Sequence, residues 1–155
     1  MPRKSREAPL EPAVRFGKLP DYLGYQIRQA QSAMFRDFGR ITTELGVTPG
    51  EFSLLTIVEA NPGINSVRLS KVYQLDKSTI SLSVKRMLKR GLVRRAQDAS
   101  DRRFSGLWLT PAGRQLLARA TKRVEEQEEI MNAALAPGER ERLLDMLRRI
   151  AGAFA

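Results

Sequence analysis

The sequence predicts a mainly α-helical chain with one small β-hairpin, and three features lead there. Apolar residues recur at steps of three and four in successive stretches, the spacing that lines one face of a helix. Several stretches open on a capping residue followed by proline or a carboxylate. After Gly91 the spacing changes, and two short apolar runs flank a polar turn from Gln97 to Arg103.

Residues 1–20 mix prolines with scattered charge and read as a flexible N-terminal arm. Residues 21–45 form a long helix on the stripe Leu23, Ile27, Ala30, Met34, Phe38, Ile41 and Leu45. Tyr22, Tyr25 and Phe35 widen that stripe, and Gly46 is placed to stop the helix. Thr48-Pro49-Gly50-Glu51 starts the next one: Thr48 caps, Pro49 suits the first turn, and Glu51 reaches back as the third helical residue. Phe52, Leu55 and Val58 supply its buried face, and Asn61-Pro62-Gly63 ends it. A short helix over residues 66–73 is capped by Asn65 and carries Val67, Leu69 and Val72.

After Gln74 and Leu75, Asp76 caps a helix and places negative charge at its N-terminus. Its inner face is Ile80, Val84, Met87 and Leu88. Lys77, Ser78, Ser81, Leu82, Lys85, Arg86 and Lys89 are left on the outer arc. Two helices joined by a three-residue turn make a helix-turn-helix, and Leu92-Val93 with Leu107-Trp108-Leu109 make a wing beside it. Thr110 and Pro111 then open a helix to about residue 135, with Leu116, Leu117, Ala120, Val124, Ile130 and Met131 apolar. Glu125, Glu126, Glu128 and Glu129 next to Lys122 and Arg123 read as a solvated charged face. Pro137 opens a last helix carrying Leu143, Leu144, Leu147, Ile150 and Phe154. The terminal helices have more apolar stripe than one winged helix-turn-helix needs. The surplus predicts a helical dimerisation layer whose partner is a second copy of the chain.

The formal charge of +10 is uneven. Residues 65–110 hold eleven Lys/Arg against three Asp/Glu, or +8, whereas residues 21–64 hold three against five, or −2. A basic cluster of domain size is the footprint of a polyanion, and a short helix with a basic hairpin suits the major groove and flanking backbone of double-stranded DNA. A basic face kept for solubility is the plainer reading. A membrane-surface helix is disfavoured because the apolar positions here are committed to a core. No run reaches membrane-span length and no apolar leader opens the chain, which places it in the cytoplasm. With no Cys and no His, disulfides, thiol sensing, His base catalysis and the usual zinc ligands are gone. No cofactor, metal site or catalytic constellation is predicted, and the chain does not read as an enzyme.

The run LDKSTISLSVKRMLKRGLVRR, followed by DASDRR and then LTPAGR, resembles the multiple-antibiotic-resistance regulator (MarR) family of transcription factors over about residues 21–155. The resemblance implies a winged helix-turn-helix over about 48–110, with dimerisation helices over about 21–45 and 111–155. It also implies a homodimer that represses from pseudo-palindromic operators and releases DNA when a small molecule binds. Carried over by position, Lys77, Ser78, Thr79, Ser81, Leu82, Lys85 and Arg86 would meet bases and phosphates. Asp101 would orient a wing arginine, leaving Arg102 or Arg103 for the minor groove. The family often carries Arg where this chain has Leu82, so the operator sequence is in doubt, with a thymine methyl as one contact.

The effector pocket would be walled by Tyr22, Tyr25, Phe35, Phe38 and Phe52, with Arg28, Arg36 and Arg40 to hold an anion. The segment LPDYLGYQIRQAQSAMFRDF is similar to the subgroup controlling aromatic-acid and hydroxycinnamate catabolism. Some members of that subgroup respond to coenzyme A thioesters, so an aromatic acid or its acyl-CoA is the implied effector. The absence of Cys argues against the peroxide-sensing branch of the family.

Plainer readings stand beside these. Ser78 and Thr79 could satisfy first-turn N–H groups, Arg94 and Arg95 could be exposed strand residues, and Asp101 could pair with its neighbours to hold a turn. Trp108 reads as wing core, and the pocket aromatics could be core or dimer packing. The alternative function is a constitutive architectural or RNA-binding basic protein, although Phe104 and Trp108 alone make a poor stacking platform.

Overall fold

The computed structural model describes residues 14–73, 77–97 and 105–154, except the side chains of Val72, Tyr73, Lys77 and Gln97. Two units divide the chain, residues 1–34 and 35–155. In the first, a one-turn 3₁₀ helix at Leu19–Asp21 precedes the N-terminal half of α1 (Leu23–Leu45). The helix predicted to begin at residue 21 therefore starts two residues later. The extended backbone of Tyr22, with ψ 130°, separates the two elements. The Gln26 side-chain amide donates to Pro20 O at 2.6 Å and holds the turn against the helix. Leu23, Ile27 and Met34 from the predicted stripe are exposed, while Phe38, Ile41 and Leu45 are buried.

In the second unit the local signals act as read. Gly46 stops α1 with φ +65°, a left-handed conformation that glycine adopts without a Cβ clash. α2 (Pro49–Ala60) opens with a complete capping box: Glu51 N donates to Thr48 Oγ1 and Thr48 N donates to Glu51 Oε2, both at 3.2 Å. Asn65 caps α3 (Ser66–Tyr73), its Oδ1 accepting from Arg68 N at 2.8 Å. Val67, expected among the apolar contacts of this helix, is instead exposed, and Leu69 is its buried anchor. α4 (Lys77–Lys89) follows; its predicted cap Asp76 lies outside the described residues.

Antiparallel strands β1 (Val93–Gln97) and β2 (Ser105–Leu109) form the hairpin, with Val93 opposite Leu109 and Gln97 opposite Ser105. Gln97, read as the start of the turn, ends β1 instead. The hairpin has a third, unpredicted participant. Gly63 N donates to Leu107 O at 2.8 Å and Leu107 N to Ile64 O at 3.0 Å, so the chain leaving α2 pairs with β2. Gly106 permits this, because a Cβ there would collide with the Gly63 backbone.

α5 (Pro111–Ala133) is capped by Thr110, whose Oγ1 accepts from Gly113 N at 3.0 Å. The helix ends two residues short of the predicted 135. α6 (Glu139–Gly152) begins after Pro137, not on it. Gly138 takes the N-cap position with φ +80°, and that left-handed turn separates the proline from the first helical residue. No residue of α6 is buried.

Two apolar clusters fill this unit. The larger joins Leu54, Leu55 and Val58 of α2, Leu69 of α3, Ile80, Val84 and Met87 of α4, and Leu107 and Leu109 of β2. The smaller joins Phe38, Ile41, Leu45, Val47 and Ala120, with Phe52 and Leu116 packed against both. Arg123 belongs less to a solvated face than predicted: its Nε lies 3.2 Å from Glu44 Oε2 and ties α5 to α1. Among the described residues, no helix is long and apolar enough to cross a membrane.

Candidate nucleic-acid interface

The outer face of α4 is set by what its inner face buries. Ile80, Val84 and Met87 are each at most 1% exposed, and their spacing of four and three fixes the rotation of the helix about its axis. Ser78, Thr79, Ser81, Leu82, Lys85, Arg86 and Lys89 are thereby turned to solvent. Leu82 is 57% exposed, an apolar side chain in the middle of a polar row. The sequence-predicted α4 set is thus brought onto one surface, apart from the side chain of Lys77, which lies outside the described residues with Asp101, Arg102 and Arg103. α3 adds exposed cations at Arg68 and Lys71, which the sequence reading did not single out. The charge count of their window was the available signal.

Arg86 is not a simple surface cation. Its Nε lies 3.6 Å from Glu51 Oε1, and its Nη2 donates to Ser83 Oγ at 3.4 Å. Glu51 also receives Arg90, whose Nη1 is 3.6 Å from Oε2 and donates to Gly46 O at 2.6 Å. The Glu51 side chain is only 5% exposed, so the C-terminal end of α4 is tied by charge to the start of α2. The capping box identified Glu51 by local spacing, but nothing in the sequence signals its two arginine partners.

In the hairpin, Arg94 sits opposite Trp108, with its guanidinium carbon 5.4 Å from the ring centroid, a cation–π distance. Trp108 is half-buried and its ring abuts Gly63, which supports the reading of wing packing over a ligand platform. Arg95 is exposed on the strand. A cavity of about 280 Å³ opens behind these strands, lined in part by Trp108, Arg94, Arg114 and Glu59.

The residues predicted to hold an effector divide between the two units. Tyr22, Tyr25 and Arg28 lie in the first, where Tyr22 and Arg28 are exposed and Tyr25 is half-buried. In the second, Phe38 and Phe52 pack together with ring centroids 6.4 Å apart and serve the core. Phe35 and Arg36 are exposed, and Arg40 pairs with Asp37. A cavity of about 160 Å³ between the C-terminal half of α1 and α5 is lined by Arg40 with Asp37, Ile41, Arg123, Gln127 and others. Buried Gln127 donates to Asp37 Oδ2 at 2.9 Å across it. Of the residues predicted to hold an effector, Arg40 lines this cavity.

The described geometry has known counterparts. The MarR family model matches residues 47–104, from the α1–α2 corner into the hairpin. A putative transcriptional regulatory protein for the hcr operon of Thauera aromatica is 37% identical over 135 residues, covering 86% of this chain and 81% of that protein. The solved structure of the transcriptional repressor CouR bound to a 23-mer DNA duplex superposes with a TM-score of 0.82 at 34% identity, over 90% of this chain and 99% of CouR. CouR bound to p-coumaroyl-CoA gives 0.79 at 31% identity, over 90% and 98%. With helix order, wing and relatives in agreement across most of its length, this chain belongs to the MarR family of transcriptional regulators.

Proposed function

We propose that the chain is a homodimeric repressor, acting in the cytoplasm, that binds a pseudo-palindromic operator and lets go on binding an aromatic acid or its CoA thioester. The outward face of α4 carries this reading: hydroxyls at residues 78, 79 and 81 stand beside Lys85 and Arg86, opposite the buried Ile80, Val84 and Met87 and the partly buried Leu88. Such a helix presents donors to base edges and cations to phosphates without disturbing its own core. Lys77 is assigned to phosphate or base contact by the family resemblance alone, as is Arg102 or Arg103 to the minor groove. Leu82 favours a thymine methyl at its position in the operator. The dimer reading is supported by Leu143, Met146, Leu147 and Phe154, all at least 40% exposed on or just beyond α6. Residues 1–20 are read as an N-terminal arm preceding the regulator domain, apart from Leu19 and Pro20, which belong to the 3₁₀ turn before α1.

The effector class is supported by CouR, whose p-coumaroyl-CoA complex is among the similar structures. Tyr22, Tyr25, Arg28, Phe35, Arg36 and Arg40 are the candidate effector contacts, while Phe38 and Phe52 pack against each other in the core. A duplex selected from a random pool by the protein itself provides the operator probe. Fluorescence anisotropy should show that p-coumaroyl-CoA or a free aromatic acid releases this duplex, with parallel stabilisation in thermal unfolding. Equal affinity for selected and scrambled duplexes, unaffected by either class of compound, would favour the architectural reading instead.

A further inference from the structure

The capping-box carboxylate of α2 has a second task. A glutamate that merely closes a helix N-terminus has no need to leave water, yet Glu51 is 4% exposed. Burying a carboxylate is unfavourable unless opposite charge and hydrogen bonds replace its hydration. Here Thr48 N supplies a hydrogen bond, and two guanidiniums from the end of α4 supply the charge at 3.6 Å each. The two arginines differ. Arg90 is anchored to the Gly46 carbonyl, whereas Arg86 stays half-exposed on the face assigned to DNA. A surface arginine loses rotamer freedom when it grips a base, and holding it in advance lowers that loss.

We propose that Glu51 is a specificity-determining positioning residue, its buried carboxylate presenting the Arg86 guanidinium to DNA in one fixed orientation and offsetting its charge. The inference rests on the DNA-binding reading above. Arg86 held this way contributes more to sequence recognition than to general attraction for phosphate. Released, it would act as one more mobile cation.

The test uses the full chain, a duplex selected by the wild type, and a scrambled duplex of equal length, measured across a salt series. E51Q retains an acceptor for the capping box and removes the charge. It should bind the scrambled duplex more tightly, with a salt slope steeper by about one phosphate contact, and its selected-to-scrambled ratio should fall about tenfold. E51Q added to R86A should move neither quantity beyond R86A alone. Thermal unfolding reports the fold. If E51Q loses its cooperative transition, E51D, which keeps the charge but shortens the reach, should lower the ratio in the same direction.

A folded E51Q with wild-type slope and ratio would overturn the proposal, as would an equal E51Q effect with and without Arg86. A wild type that shows no preference for its selected duplex would instead remove the DNA-recognition reading beneath it.

Discussion

The helix-turn-helix region and α6 spend their apolar residues in opposite ways. In α4 the apolar positions go inward: Ile80, Val84 and Met87 are enclosed by α2, α3 and the hairpin, and the outward face is almost wholly polar. In α6 no residue is buried, and Leu143, Met146 and Leu147 line its exposed side. A surface helix normally hides an apolar stripe of that kind. The contrast teaches that the reading region is stabilised from within one chain, whereas α6 awaits a surface from outside it. Damage to the first should therefore appear as unfolding, and damage to the second as a change of assembly.

The comparison breaks most readily at Met87. Met87→Ala removes a side chain that is fully enclosed, and should cost roughly 2–5 kcal/mol in chemical unfolding with no change in the association constant of the folded fraction. A loss below ~1 kcal/mol would mean the reading region is looser than its burial indicates. Leu147→Asp attacks the other side. Sedimentation should show dimer association weakened by about 2 kcal/mol or more, with the large core intact by circular dichroism. An unchanged dimer would place the partner surface elsewhere. The smallest effect is at the joint before α2. Thr48→Ala removes the acceptor for Glu51 N and should lower stability by about 1 kcal/mol in thermal or urea unfolding, leaving assembly alone.

What the sequence disclosed follows the range of the interaction concerned. Thr48, Asn65 and Thr110 were legible as caps because each bonds a backbone N–H three residues on. The inner face of α4 was legible because its period is local. Pro137 was misread for the same reason: its presence near a helix start is informative, but the left-handed Gly138 that ends the turn depends on the path of the chain. Contacts between distant segments were not legible. Arg90 reaches Gly46 across 44 positions and Gln127 reaches Asp37 across 90, and neither pair carries a local spacing signal. The aromatics of α1 show a further limit, since Phe35 and Phe38 have the same chemistry and only packing makes one exposed and the other core.

The contact between Gly106 and Gly63 carries a consequence for how this hairpin tolerates change. The two backbones touch where any Cβ would collide, and the pairing of Leu107 with Ile64 fastens β2 to the segment after α2. β2 is therefore fastened to that segment close to the loop end of the hairpin, where Gly106 pairs with Ala96. Leu107 and Leu109, which follow Gly106 in β2, are seated in the core. A longer or differently charged connection between the two strands should leave the anchoring of β2 to Gly63 and Ile64 in place, with a thermal unfolding midpoint close to that of the parent chain.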